Sequence, residues 1–156
     1  RSEVERYGEY SKAGEFVYDF PFLWGSRRTG PDVHRVGGKY NNNWHFNHMS
    51  DPRSTSPGSI MPRYSWLIQN DLNASNIEDK MEGLVKLGVP YSAEEIAGAK
   101  AQLLAQAKEI EESLRQDPEF VSNYGSSNIQ NKEIVALIAY LQRLGTDIKA
   151  GNTAQK

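Results

Sequence analysis

The chain is expected to be mainly α-helical, with long loops gathered in its first half. Two observations carry that expectation. Apolar residues in the second half recur at three- and four-residue steps, and serine followed three residues later by glutamate opens two of those stretches. In the first half, Pro, Gly and Asn break the chain too often for long elements, and rings are dense there.

In chain order, Val4, Tyr7, Tyr10 and Ser11 can share one side of a short helix that stops at Gly14. Phe16, Tyr18, Phe20, Phe22 and Trp24 alternate as in a strand, but Pro21 removes a ladder hydrogen bond and Gly25 and Gly30-Pro31 close the run, which reads as an irregular aromatic arm. Asn43 or a neighbour caps a short helix through about Met49, and Asp51-Pro52 stops it because a residue before proline is pushed out of the helical region. Residues 54–59 form a polar Pro-Gly loop that leads to Met61-Pro62.

Ser75 and Glu78 make a capping box for a helix with Ile77, Met81, Leu84 and Val85 on its apolar face, ended by Gly88 and Pro90. A second box, Ser92 and Glu95, opens a long helix carrying Ile96, Ala99, Leu103, Ala107, Ile110 and Leu114. It stops before Pro118, and its narrow stripe suits one packing neighbour rather than a core. The last helix runs from about 131 to 144, with Ile134, Leu137, Ile138, Leu141 and Leu144 on one face and Gly145 beyond its end. Residues 147–156 are a polar, flexible tail.

The totals exclude several classes of function. A formal charge of -2 gives no basic field for nucleic acid. No apolar run approaches the roughly 20 residues that a membrane helix needs. With no cysteine, thiolate catalysis, disulfides and cysteine-held metals are ruled out for these residues.

The chemistry concentrates in residues 27–67. Met61, stiffened by Pro62, is either a gap-filling core residue or a soft, uncharged thioether ligand of the kind found on haem iron. His45 and His48, three apart, could share a metal with His34 and Asp51, against a surface or capping role. Asp32, Asp51 and Glu15 are the acids available for a carboxylate pair, and no spacing singles out two of them. Arg27, Arg28, Arg35, Tyr40 and Trp44 are donors that could hold a carboxylate, or simply a solvated basic loop.

These residues resemble a known family. Thr29-Gly30-Pro31-Asp32-Val33, the Met61-Pro62 loop and the helix Ile134-Val135-Ala136-Leu137-Ile138-Ala139-Tyr140-Leu141 are similar, in that order, to the second half of a class I cytochrome c. More closely, Glu5-Arg6-Tyr7-Gly8-Glu9-Tyr10-Ser11, Pro21-Phe22-Leu23-Trp24-Gly25-Ser26, Met61-Pro62-x-Tyr64-x-Trp66-Leu67 and Leu87-Gly88-Val89-Pro90-Tyr91 resemble the monohaem cytochrome c subunit of cbb-type cytochrome c oxidase. The likeness covers residues 3–101 and 132–146.

The resemblance implies a class I cytochrome c-like helical domain over 1–146; the stretch at about 102–131 departs from the family by its length and reads as an extended helical insertion. It implies an electron relay on the periplasmic face of a bacterial inner membrane, anchored by an upstream helix, between another c-type cytochrome subunit and the catalytic haem-copper subunit. The chain would then belong to a terminal oxidase without holding its catalytic centre. Met61 would be the distal iron ligand, Pro31 would buttress the proximal histidine, and Gly30 would permit that turn. Arg27, Arg28, Tyr40 and Trp44 would contact the haem propionates, and Tyr64 and Trp66 would wall the methionine side. The family attaches haem c through Cys-x-x-Cys-His, which these residues lack, so the expectation is a fragment without covalent haem. The competing reading is a non-redox assembly domain of a membrane complex.

Overall fold

The computed structural model describes residues 4–5, 8–10, 12–18, 30 and 33–146. Among them are a 3-10 turn at Ala13–Phe16 and seven α-helices: α1 (Asn42–Ser50), α2 (Pro52–Thr55), α3 (Trp66–Gln69), α4 (Ile77–Lys86), α5 (Ala93–Leu114), α6 (Pro118–Tyr124) and α7 (Glu133–Arg143). The described residues contain no strand, only an isolated antiparallel bridge between Asp71 and Lys132. The mainly helical expectation holds.

The helix ends follow side-chain chemistry closely. Asn41, rather than Asn43, caps α1 by accepting from Trp44 N–H at 2.8 Å. Asp51 ends α1 and caps α2, with Pro52 as the first residue of α2, so the loop expected from residue 54 is helical through Thr55. At α5 the Ser92–Glu95 capping box forms in full, Ser92 Oγ accepting from Glu95 N–H and Glu95 Oε2 accepting from Ser92 N–H. The expected Ser75–Glu78 box does not form. Asn73 Oδ1 captures both the Ser75 N–H and its hydroxyl, so α4 starts after Asn76 with no side-chain cap. Its far end matches expectation: Gly88 at φ 97 donates to Val85 O and Val89 to Leu84 O, the paired bonds that close a helix through a left-handed glycine.

Before residue 33 the described chain departs from expectation. Val4 and Glu5 are helical, but Gly8 at φ 96 and the 3-10 turn replace a helix running to Gly14. Tyr7, Ser11 and residues 19–24 of the aromatic arm lie outside the described residues, as does the tail from 147.

The core gathers Phe46 from α1, Ala107, Ile110 and Leu114 from α5, Phe120 from α6, Ile129, and Ile134, Val135 and Ile138 from α7. Phe46 meets Phe120 and Tyr124 edge to face at 5.0 and 5.1 Å. The long helix therefore does not lie against one neighbour. Its first half packs on α4, while its second half enters the core against α1 and α7. The stripe is narrow because small residues such as Ala107 let α5 approach closely, so few large side chains are needed to bury it. Just past the core, Arg115 donates to Glu111 on its own helix and to the carbonyls of Gly125 and Ser127, fastening α5 to the turn after α6.

The C-terminal end of α7 positions the first-half loops. Gly37 N–H donates to Leu144 O at 3.0 Å. Gln142 then bonds three points of the facing chain: its Oε1 accepts from Gly38 N–H, and its Nε2 donates to Tyr40 O and Asn42 Oδ1. By these bonds the loop before α1 is held to the core.

Candidate functional site

Helix α1 is the spine to which the candidate residues attach. Tyr40, just before it, and Trp44 and His48 on it are four residues apart, the spacing that puts side chains above one another on a helix. They stack. Tyr40 and Trp44 lie 3.9 Å apart at 14°, and Trp44 and His48 lie 4.5 Å apart at 12°. His45 stands edge-on to this stack, 6.1 Å from Tyr40 and 5.4 Å from Trp44, at 85° and 86°.

The methionine segment is tied to the other end of the same helix. Tyr64 N–H donates to Met49 O at 2.9 Å, and Arg63 pairs with Asp51 at 2.6 Å. Hydrogen bonding to Arg63 holds the Asp51 carboxyl below its usual range. Between these anchors and α2 sits Met61, half-buried, its N–H donating to Ser59 Oγ at 3.2 Å. Ile60 beside it is 88% exposed. Tyr64 and Trp66 meet at 5.0 Å, Tyr64 half-buried and Trp66 exposed.

Of the residues expected at the site, the fold thus brings together Tyr40 with Trp44, and Tyr64 with Trp66, and fastens the Met61 segment to α1. Arg27, Arg28 and Pro31 lie outside the described residues. Gly30 is an exposed bend.

Two other readings of the sequence do not assemble. No group of three or more His, Asp or Glu residues that could hold a metal occurs among the described residues. His34 Nε2 bonds Glu9 O, His48 Nδ1 bonds the Thr55 hydroxyl, and Asp51 pairs with Arg63, so three of the four proposed ligands turn to separate partners, while His45 Nε2 has none. Nor do the acids pair with one another. Glu15 binds Arg35 at 2.9 Å, Asp51 binds Arg63, and Asp32 lies outside the described residues. Arg35 is also no solvated loop residue: its side chain is largely buried, with Nε on Glu9 O and Nη2 on Glu15.

Burial pushes the pKa of both His45 and His48 down, and His45 is lowered further by the neighbouring charge of His48. The native state thus takes up protons less readily than the unfolded chain as pH falls below about 6.5. Stability present above that pH is lost as it falls toward the lower native values, at no more than about 1.4 kcal/mol per pH unit for each histidine. Thermal melts between pH 7 and pH 5 are expected to show a falling midpoint, with a shallower slope in His45→Gln. A midpoint that is flat or rises on acidification would contradict the burial of neutral imidazoles.

Three buried side-chain polar atoms lack a partner among the described residues: Arg35 Nη1, Asn43 Oδ1 and His45 Nε2. All fall on the segment that carries Tyr40 and Trp44. Buried polar atoms are nearly always hydrogen-bonded, so these three are exceptions among the described residues. A thioether on one loop and flat rings on the helix to which that loop is fastened are groups that suit a haem, with its soft iron and flat macrocycle. The stack and His45's place beside it were not foreseen. The four-residue spacing of Tyr40, Trp44 and His48 was the available signal.

Among known proteins, the family model described as cytochrome c oxidase, mono-heme subunit/FixO matches residues 1–148. The chain belongs to this family. A comparison with individually curated proteins gave no match. No helix among the described residues of this FixO-family chain is long and apolar enough to cross a membrane.

Proposed function

We propose that this chain is the electron-transfer part of the mono-haem subunit of a cbb-type oxidase, passing electrons from another c-type cytochrome subunit to the catalytic haem-copper subunit at the periplasmic face of the membrane. The observation that carries the reading is the family match over residues 1–148, in a chain that fastens Met61 to the same helix as a half-buried ring stack. When bound, haem c supplies a one-electron iron couple whose potential depends on its axial ligands and burial.

The chain's own residues bind and orient. Met61 would hold the haem iron through its thioether, on a segment fixed by Ser59 and by the Tyr64–Met49 and Arg63–Asp51 links. Tyr40 and Trp44, with Arg27 and Arg28, would hold its propionates, while Tyr64 and Trp66 would shield the methionine side from water. Gly30 and Pro31 support the proximal side. No cysteine is present, so covalent attachment requires a Cys-x-x-Cys-His segment outside these residues.

The test is to produce the subunit with that segment and haem-attachment machinery, then to record its reduced visible spectrum. A c-type spectrum with one haem per chain is expected. Haem-free protein from an intact attachment motif would overturn the relay in favour of a non-redox assembly domain.

A further inference from the structure

A cleft of about 570 Å³ that the haem reading does not use opens between three parts of the chain: residues 71–75 before α4, the middle of α5, and residues 128–132 before α7. Its two loop walls are joined to each other. Leu72 N–H donates to Asn131 O at 2.6 Å, Glu133 N–H donates to Asn70 O at 3.2 Å, and Lys132 Nζ pairs with Asp71 at 2.7 Å. The cleft is thus a feature of the fold rather than a gap between loose loops.

Each wall offers a different group. On α5, Lys100 and Leu104 share a face by their four-residue spacing. Leu104 is 46% exposed, and Lys100, also exposed, has no ion pair or hydrogen bond among the described residues. On the second wall, the side-chain amides of Asn128, Gln130 and Asn131 bond to none of the described residues. On the third, the backbone is open. Asp71 and Lys132 form the kind of bridge pair whose own N–H and C=O groups point away from each other, so those of Asp71 face outward. Neither they nor the backbone groups of Asn73 have a partner among the described residues.

An amide side chain sets an N–H donor beside a carbonyl acceptor, the complement of a peptide bond, and an unpaired backbone edge accepts an added strand. A small anion would engage the lysine and leave the other groups idle. An extended polypeptide uses them all: its backbone meets the amides and the Asp71 edge, an apolar side chain lies on Leu104, and a carboxylate reaches Lys100. Asp71 already neutralises Lys132, so the unmatched charge of the cleft is the positive one of Lys100. Residues 147–156 of this chain carry two lysines against one aspartate, the wrong sign for it.

We propose that this cleft seats an extended, carboxylate-bearing segment of another subunit of the oxidase. The proposal rests on the chain's membership of an oxidase-subunit family and not on where the haem sits.

The test is made in the assembled oxidase, with a photo-crosslinking side chain in place of Leu104. Irradiation is expected to join this subunit to an acidic segment of another subunit, located by mass spectrometry. Lys100→Glu is expected to lose that crosslink and Lys100→Arg to keep it, both with the wild-type melting midpoint in the isolated subunit. Hydrogen exchange at the Asp71 and Asn73 amides is expected to be slower in the wild-type complex than in the isolated subunit. That comparison needs no variant, so it decides the matter even where a variant does not assemble. Equal exchange in the two states would overturn the proposal. So would a crosslink confined to this chain or to lipid, no crosslink, or one that persists in Lys100→Glu. A subunit that assembles without haem would instead sink the relay reading and leave this test in place.

Discussion

Replacing Gly37 by alanine is expected to destabilise the fold by about 3 kcal/mol or more, placing it in the tail of single-substitution effects. A Cβ at Gly37 would lie 2.5 Å from Gln142 O, 2.6 Å from Leu144 O and 3.0 Å from Thr146 Cγ2. Two of those neighbours are backbone at the end of α7 and cannot swing aside. The loop would have to retreat, giving up the Gly37–Leu144 bond and the three bonds of Gln142 that position Tyr40 and the start of α1.

Gly38 supplies the contrast. It sits at φ 71, where a side chain is strained, but a Cβ there meets nothing within 4 Å. Gly38→Ala should cost only about 1–2 kcal/mol. For a domain of this size the two variants would differ in melting midpoint by several degrees, since about 1 kcal/mol shifts it by 2–4 °C. Equal midpoints for Gly37→Ala and wild type would show that α7 does not clamp this loop.

That clamp also explains which features were legible in the sequence. α5 could be read from its Ser92–Glu95 capping box and apolar spacing, and α7 from its apolar spacing and Gly145, because these signals act locally. The Ser75 cap was misread because Asn73, two residues upstream, competes for the same donors, and only the turn geometry decides the winner. The short helices α2, α3 and α6 escaped a reading based on periodicity because four to seven residues carry too little of it. The signal at α2 and α6 was an aspartate cap followed by proline, as in Asp51-Pro52 and Asp117-Pro118.

The depth of α5 was underestimated for a different reason. A stripe of alanines and isolated large residues looks like a surface helix until α1, α6 and α7 are seen to converge on Ile110 and Leu114. At the site, motif order pointed to Met61, Tyr40 and Trp44 as one constellation. Which neighbours each would find depended on long-range bonds, such as Gln142 to Tyr40 and Tyr64 to Met49, that no local pattern contains.

Met61, proposed above as the haem ligand, carries the largest expected functional effect. A thioether is a weak donor that favours reduced iron, so losing it is expected to lower the reduction potential on the order of 100 mV, within the roughly 0.8 V range that axial ligands span. The segment around Met61 is anchored independently of its side chain, through Ser59, Tyr64 and Arg63, so Met61→Ala should leave the fold intact.

The most direct measurement is therefore a redox titration of the haem-loaded subunit with and without Met61→Ala, followed by visible absorption. The expected result is a fall in potential accompanied by loss of the methionine-ligated spectrum at unchanged helical content. An unchanged potential and spectrum would contradict the assignment of Met61, and with it the reading of α1 and the methionine segment as a haem site.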